Sequence, residues 1–223
     1  MSHLSEMSAE GTGSAYASPS AGGFYRRVFK RLLDIILVLL SVPFVAPLGL
    51  LLGLIARRDG GPAFYTQDRV GLDGRIFRIY KLRTMVVDAD ALLATHLAED
   101  SALRIEWQET QKLKKDPRIT AVGRLLRKTS LDELPQLWNV LKGDMSLVGP
   151  RPMLPNQRAL YPGRAYYQMR PGLTGPWQVS DRNTVSFAGR AEFDAAYARD
   201  MSLLHDLTLI FLTVWVVVRG TGY

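Results

Sequence analysis

Two adjacent carboxylates, Asp132 and Glu133, stand in the stretch Ser130-Leu131-Asp132-Glu133-Leu134-Pro135-Gln136-Leu137, just ahead of an apolar run. A single arginine, Arg151, follows between two prolines in Val148-Gly149-Pro150-Arg151-Pro152. Ser130 and Glu133 have the spacing of a capping box, which predicts a helix N-terminus at this point. Acidic residues favour the positive end of a helix dipole, so the pair has a purely structural explanation. It also has a chemical one. A helix start offers free backbone N–H groups and partial positive charge to a phosphate, and an aspartate there can attack phosphorus and become an aspartyl phosphate. Arg151, fixed by its flanking prolines, can bind phosphate bidentately.

The longer run, Ser-Leu-Asp-Glu-Leu-Pro-Gln-Leu from Ser130 and Asn-Val-Leu-Lys-Gly-Asp-Met-Ser-Leu-Val-Gly-Pro-Arg-Pro from Asn139 to Pro152, resembles the signature of the bacterial monotopic phosphoglycosyl transferases. These are the initiating sugar transferases of exopolysaccharide and glycoconjugate synthesis. The resemblance covers nearly all of the chain after about residue 24, and the C-terminal half is most similar to the undecaprenyl-phosphate galactose phosphotransferases of that group. It implies transfer of a hexose-1-phosphate from a UDP-sugar, glucose or galactose, to undecaprenyl phosphate, with release of UMP through a covalent phospho-aspartate. It makes Asp132 the nucleophile and gives Glu133 the task of holding Mg²⁺ or orienting the groups, with Asp132 and Glu133 as the metal ligands. Tyr80-Lys81-Leu82-Arg83-Thr84-Met85 resembles the family's Lys-Phe-Arg-Thr-Met element, which makes Lys81 and Arg83 candidates for phosphate. Arg170, Gln178, Arg182 and Asn183 match family positions in Arg-Pro-Gly-Leu-Thr-Gly, Trp-Gln and Gly-Arg-Asn and are candidate nucleotide-sugar contacts. Asp181 stands where the family has glycine, adding an anion or occupying a left-handed backbone position.

Composition bounds the partners. The chain has 223 residues and a formal net charge of +7, enough for one domain with a real core and a charge suited to an anionic partner. No RNP, zinc-finger or helix-turn-helix pattern stands out, so nucleic acid is not expected. The chain has no cysteine, which excludes disulfides and thiolate metal sites. His3, His96 and His205 are scattered. There is no P-loop and no Rossmann glycine fingerprint.

The elements that must carry these residues divide into three. Residues 1–23 are Ser-, Gly- and Ala-rich and predict a disordered tail. Residues 24–58 hold an apolar run, Leu32 to Ala56, of about 25 residues, which as a straight helix would reach ~37 Å against a hydrocarbon core of ~30 Å. Pro43 and Pro47 interrupt it, and prolines kink helices. Arg26, Arg27, Lys30 and Arg31 precede it and Arg57 and Arg58 follow it, and positive charge at both ends predicts that both ends are cytoplasmic. A re-entrant helix satisfies these features, and the resemblance implies the same at the cytoplasmic face of the inner membrane. The family's Ser-Pro break aligns with Ala46-Pro47. A straight single-pass anchor is the alternative. Asp34 is expected to pair with Lys30 or Arg31.

Residues 59–223 then form a small cytoplasmic catalytic domain. Arg75 to Arg83 alternates basic and apolar residues and predicts a short strand. Asp88 to about Lys115 is expected to be helical, Arg170 to Asn183 to be ordered loops without helix, and Phe187 to Val218 to hold two helices. The last apolar segment, Leu207 to Val218, is too short to span and fits an interfacial amphipathic helix or core packing. The fold class expected is α+β, mainly helical. A non-catalytic, basic peripheral membrane protein that binds anionic lipid is the rival function; it explains the charge and the apolar run, but not the paired carboxylates.

Overall fold

The computed structural model describes residues 23–58, 60–110, 113, 115–180 and 186–218. The architecture is mainly helical α+β. A π-helical turn, Tyr25–Phe29, leads into α1, Lys30–Ala56, a 27-residue apolar helix long enough to cross a membrane by length and composition. Pro43 and Pro47 lie inside α1 without ending it, since proline's fixed φ is itself helical and only one N–H is lost at each. Ser41 Oγ donates to Val38 O at 2.7 Å, just before the first of them.

A hairpin follows. β1, Phe64–Val70, pairs antiparallel with β2, Ile76–Leu82, in register from Phe64 opposite Leu82 to Val70 opposite Ile76. The turn between them closes through Gly71 N–H to Arg75 O at 2.7 Å, with Asp73 left-handed at φ 55° and Gly74 at φ 75°. The region expected to be one helical stretch is two helices, α2 (Ala89–Glu99) and α3 (Ser101–Thr110). Asp100 divides them because its Oδ1 accepts from Ala102 N and Leu103 N, capping a new start.

α4, Ala121–Lys128, is capped by Thr120, whose Oγ1 accepts from Gly123 N at 2.8 Å. α5 spans Gln136–Lys142. β3, Ser146–Val148, and β4, Gly172–Thr174, form a second, parallel pair. β4 is followed by the short helix α6, Pro176–Val179, so the Gly/Pro-rich stretch after Arg170 carries both a strand and a helical turn, contrary to the loop expectation. It does so because Gly172 and Gly149 bring their backbones so close that a Cβ on either would meet the other segment's main chain. α7, Arg190–Asp200, and α8, Leu203–Val218, complete the chain.

Three apolar clusters hold these pieces together. Val38 of α1 joins Ile79, Val140 and Met145; Val148 joins Met169, Tyr197, Met201 and Leu209; Val70 joins Met153, Tyr161 and Tyr166. The start of α1 is also tied down by polar groups. Lys30 Nζ reaches Asp206 Oδ2 at 2.6 Å and Tyr197 Oη at 2.9 Å, and Tyr25 Oη donates to the same Asp206 oxygen. Asp34, expected to pair with Lys30 or Arg31, instead accepts from Leu147 N at 3.0 Å. The reason is that Lys30 is drawn off by Asp206, and Arg31 by the carbonyls of Val140 and Leu141 at the end of α5. The far side of α1 is bare apolar surface, with Leu40, Phe44 and Leu50 each about two-thirds exposed or more (66%, 79% and 67%). Residues 1–22 and Asp59, at the expected boundaries of tail and domain, lie outside the described residues.

Candidate active site

Asp132 and Glu133 do not open a helix. Ser130 is left-handed at φ 55° and its side chain makes no cap bond, so the predicted capping box is absent. The pair sits in an isolated 3-10 turn, Leu131–Glu133, closed by Glu133 N–H to Ser130 O, and Pro135 separates it from α5. Proline cannot donate a backbone bond, which favours a fresh helix start after it over continuation from the turn. The turn rather than a helix dipole therefore aims the carboxylates, and they face β2.

Lys81 on β2 meets them. Its Nζ lies 2.6 Å from Glu133 Oε1 and 3.8 Å from Asp132 Oδ2. Asn139, fully buried on α5, ties that helix to β2: its Oδ1 accepts from Tyr80 N at 3.1 Å and its Nδ2 donates to Arg78 O at 2.8 Å. The two carboxyls differ electrostatically. Burial pushes the Asp132 carboxyl above the usual range, and the adjacent Glu133 charge adds to this, while Lys81 and Arg127 pull against it. Burial would also raise Glu133, but Lys81 and Arg151 more than cancel it and hold Glu133 below its ordinary value. Glu133 is thus the fixed anion. Asp132, 8% exposed, accepts no hydrogen bond from another side chain among the described residues, and Lys81 stands 3.8 Å from it. Arg127 is steadied nearby by Nε to Thr84 Oγ1 at 2.9 Å.

Arg151 is positioned by its neighbours' backbones. Gly149 N–H binds Thr174 O, Gly172 N–H binds Pro150 O at 2.8 Å, and Arg69 Nη1 binds Pro152 O at 3.0 Å. The segment is fastened on both sides of Arg151, and the guanidinium carbon lies 5.7 Å from the centre of the Trp177 ring. Beyond it, Trp177, Tyr161, Phe187, Arg190 and Asp194 line a tight crevice. Asp194 Oδ2 accepts from Tyr161 Oη at 2.6 Å. Burial raises the Asp194 carboxyl to about 6, against the opposing pull of the Tyr161 hydrogen bond and Arg190.

Two candidate contacts bond to backbone carbonyls of other segments. Arg83 donates to Ala56 O at 2.6 Å, Pro62 O at 2.7 Å and Met85 O at 2.8 Å, clasping the end of α1 and the segments beside it. Arg170 Nε donates to Gly143 O at 2.9 Å, at the C-terminal end of α5. Gln178 is buried on α6. Asp181, Arg182 and Asn183 lie outside the described residues. The structure adds Arg69, Arg127 and Arg190, which sequence reasoning did not single out. Arg127 had a signal, being one of the cations leading into the motif; Arg69 and Arg190 reach the site only through the fold. Among the described residues, no third carboxylate or histidine joins Asp132 and Glu133 in a metal-holding group. Two carboxylates alone suit a small hard cation whose remaining ligands are phosphate and water oxygens.

The site is a carboxylate pair contacted by Lys81, with Arg127 and Arg151 near it, in a chain that also carries one helix of membrane-crossing length. The chain belongs to the bacterial sugar transferase family, whose model matches residues 25–220. It is 48% identical over 198 residues to an undecaprenyl-phosphate galactose phosphotransferase of Salmonella typhimurium, covering 88% of this chain and 42% of that protein. It is 46% identical to a UDP-galactose-lipid carrier transferase of Erwinia amylovora, covering 88% of this chain and 42% of that protein. It is also 44% identical to the exopolysaccharide production protein ExoY of Sinorhizobium fredii, with 87% of this chain and 88% of that protein covered. The chain thus spans less than half of the first two relatives and most of the third.

The raised Asp194 carboxyl has a consequence for stability. A carboxyl whose pKa is higher folded than unfolded stabilises the fold fully below the unfolded value, and the contribution is lost as pH rises through about 6. Asp194→Asn removes this dependence while its amide oxygen still accepts from Tyr161. Relative to the unsubstituted chain, the variant should gain ~1.4 kcal/mol on going from pH 5 to pH 8, read as unfolding midpoints in detergent. An equal difference at the two pH values would contradict the assignment.

Proposed function

We propose that the protein transfers a hexose-1-phosphate from a UDP-hexose to undecaprenyl phosphate through a phospho-aspartate on Asp132, as an initiating step of exopolysaccharide synthesis. The observation that carries this is a buried, sparsely bonded Asp132 beside a firmly ionised Glu133, both facing Lys81, with Arg127 and Arg151 close enough to bias their charges. The relatives' names, which specify galactose and a lipid carrier, support the substrate class.

In the first half-reaction an Asp132 oxygen bonds to the sugar-linked phosphorus, the pyrophosphate P–O bond breaks, and UMP leaves carrying the bridging oxygen. In the second, an oxygen of the polyprenyl phosphate bonds to the same phosphorus, and the bond to Asp132 breaks, restoring the carboxylate. Lys81 holds Glu133 and favours the ionised form of Asp132 against burial. Arg151 is the guanidinium fork for phosphate oxygens. Mg²⁺, held by Asp132 and Glu133, would screen the repulsion between a carboxylate and a pyrophosphate.

The membrane helix fits the same scheme as a re-entrant element. Its early residues Lys30, Asp34 and Val38 are tied to the globular body. So is its end, where Gly53 packs near Ala63 and Leu82 and the Ala56 carbonyl is held by Arg83. Val38 shares a cluster with Ile79, and Gly53 lies against Leu82, on the same strand; three residues of strand cover only ~10 Å. A helix crossing ~30 Å of hydrocarbon would leave its ends on opposite faces. The basic residues at both ends support a position for both on the cytoplasmic face of the inner membrane. The exposed apolar residues of α8, among them Leu204, Phe211 and Val214, would rest in the same interface.

Two measurements test this. With Mg²⁺ and undecaprenyl phosphate, the protein should release UMP from one member of a panel of UDP-hexoses, and Asp132→Asn should lower release by about 10³-fold or more, the scale on which removing a catalytic group acts. Near-normal release by the variant would remove Asp132 from the chemistry. Release of no UMP from any UDP-hexose, with binding to anionic vesicles, would restore the non-catalytic reading. For topology, cysteines placed singly at Phe24 and Gly60, in a chain without cysteine of its own, should be labelled from the same side of the membrane. Labelling from opposite sides would make α1 a single-pass anchor.

A further inference from the structure

The scheme above uses Arg151, whose charge reaches Glu133, but leaves unused Arg190, which lines the same crevice. The Arg190 guanidinium carbon stacks 4.0 Å from the centre of the Trp177 ring and 4.8 Å from that of Phe187, and Arg151 approaches the same indole at 5.7 Å. Two guanidiniums thus share one ring. Among the described residues neither makes a hydrogen bond or an ion pair, and Arg190 Nε is buried with no partner. The carboxylate beside Arg190, Asp194, has one oxygen engaged by Tyr161 Oη.

This arrangement is costly as it stands. Burial and the neighbouring Arg151 charge hold the Arg190 guanidinium down at about 10. Arg69 is also lowered by burial and by Arg151, and its Nε too is buried without a partner. Desolvated like charges and an orphaned N–H each disfavour the fold. Both costs are offset by one kind of ligand, an anion with several acceptor oxygens. The planar guanidinium fork matches phosphate, and the indole face keeps that fork fixed in its plane.

We propose that Arg190 and Arg151, seated on Trp177, form a second phosphate seat next to the Asp132–Glu133 pair, and that Arg190 contacts a phosphate other than the one under attack. The inference rests on the function proposed above, in which two phosphate-bearing molecules visit Asp132 in turn. Asp132 and Lys81 take the phosphorus that changes partners. Arg190 takes either the nucleotide-side phosphate that departs as UMP or the phosphate of the incoming lipid. The chemistry is the same for both: an anionic phosphate with at least two free oxygens.

The test is calorimetric titration of the full chain in detergent with two probes, UMP and farnesyl phosphate, alongside steady-state UMP release. Arg190→Gln should weaken one probe about tenfold or more and raise KM for the corresponding substrate more than it lowers kcat. Loss of UMP binding assigns the seat to the nucleotide, and loss of farnesyl phosphate binding assigns it to the lipid. Weakening of both at an unchanged melting temperature assigns it to both half-reactions. If Arg190→Gln melts early, Arg190→Lys decides, since it keeps charge and stem but not the fork. An active protein whose Arg190 variants bind both probes within about twofold of the unsubstituted chain overturns the seat alone. An unsubstituted chain that binds neither probe and releases no UMP overturns the seat together with the function on which it rests.

Discussion

The contact between Lys81 Nζ and Glu133 Oε1, at 2.6 Å, is the interaction on which the site depends. Two adjacent carboxylates in a partly dry turn repel one another, and each would be driven toward its neutral form. One lysine removes that difficulty unequally. It sits 2.6 Å from Glu133 but 3.8 Å from Asp132, so one carboxylate is held as a fixed anion while the other is left without a close ion pair. Much of the hairpin and α5 can be read as the means of holding that lysine. Asn139 bonds the backbone of β2 on both sides of Ile79, and the Val38, Ile79, Val140 and Met145 cluster packs beneath.

A second constraint couples the site to the long apolar helix α1. Lys30 and Asp206 are buried together, with side chains 11% and 1% exposed, and Tyr25 and Tyr197 complete the group. Pairs like this add little net stability, but breaking one is costly, which makes them useful for fixing register. Here the group joins the start of α1 to α7 and α8, and Asp34 joins α1 to β3 through Leu147 N. At the other end, Arg83 clasps Ala56 O. The apolar helix is thus fixed relative to Lys81 and Arg151, as the proposed meeting of a soluble and a lipid substrate at one aspartate requires.

Much of this was legible in the sequence, for reasons specific to each part. β2 showed itself by alternation, and Asp132, Glu133, Lys81 and Arg151 by a motif long enough to be specific. The capping box failed because Ser-x-x-Glu also fits a 3-10 turn, and the left-handed backbone at Ser130 has no sequence mark. β3 and β4 were hidden because each is three residues long and set among glycines and prolines. Arg83 and Arg170 were assigned by motif to substrate; the carbonyls they hold belong to other elements, which only the tertiary fold brings near. The same holds for Lys30 and Asp206, 176 residues apart, and for the two arginines on Trp177.

The most direct test is to trap the covalent state. The protein is incubated with Mg²⁺ and a UDP-hexose carrying radiolabel in the sugar, without polyprenyl phosphate. A covalent route yields UMP in amounts matching the enzyme, and a hydroxylamine-labile label that maps to the peptide containing Asp132. No label on the protein, with UMP appearing only once both substrates are bound, would contradict it and leave Asp132 as a metal ligand in a direct transfer.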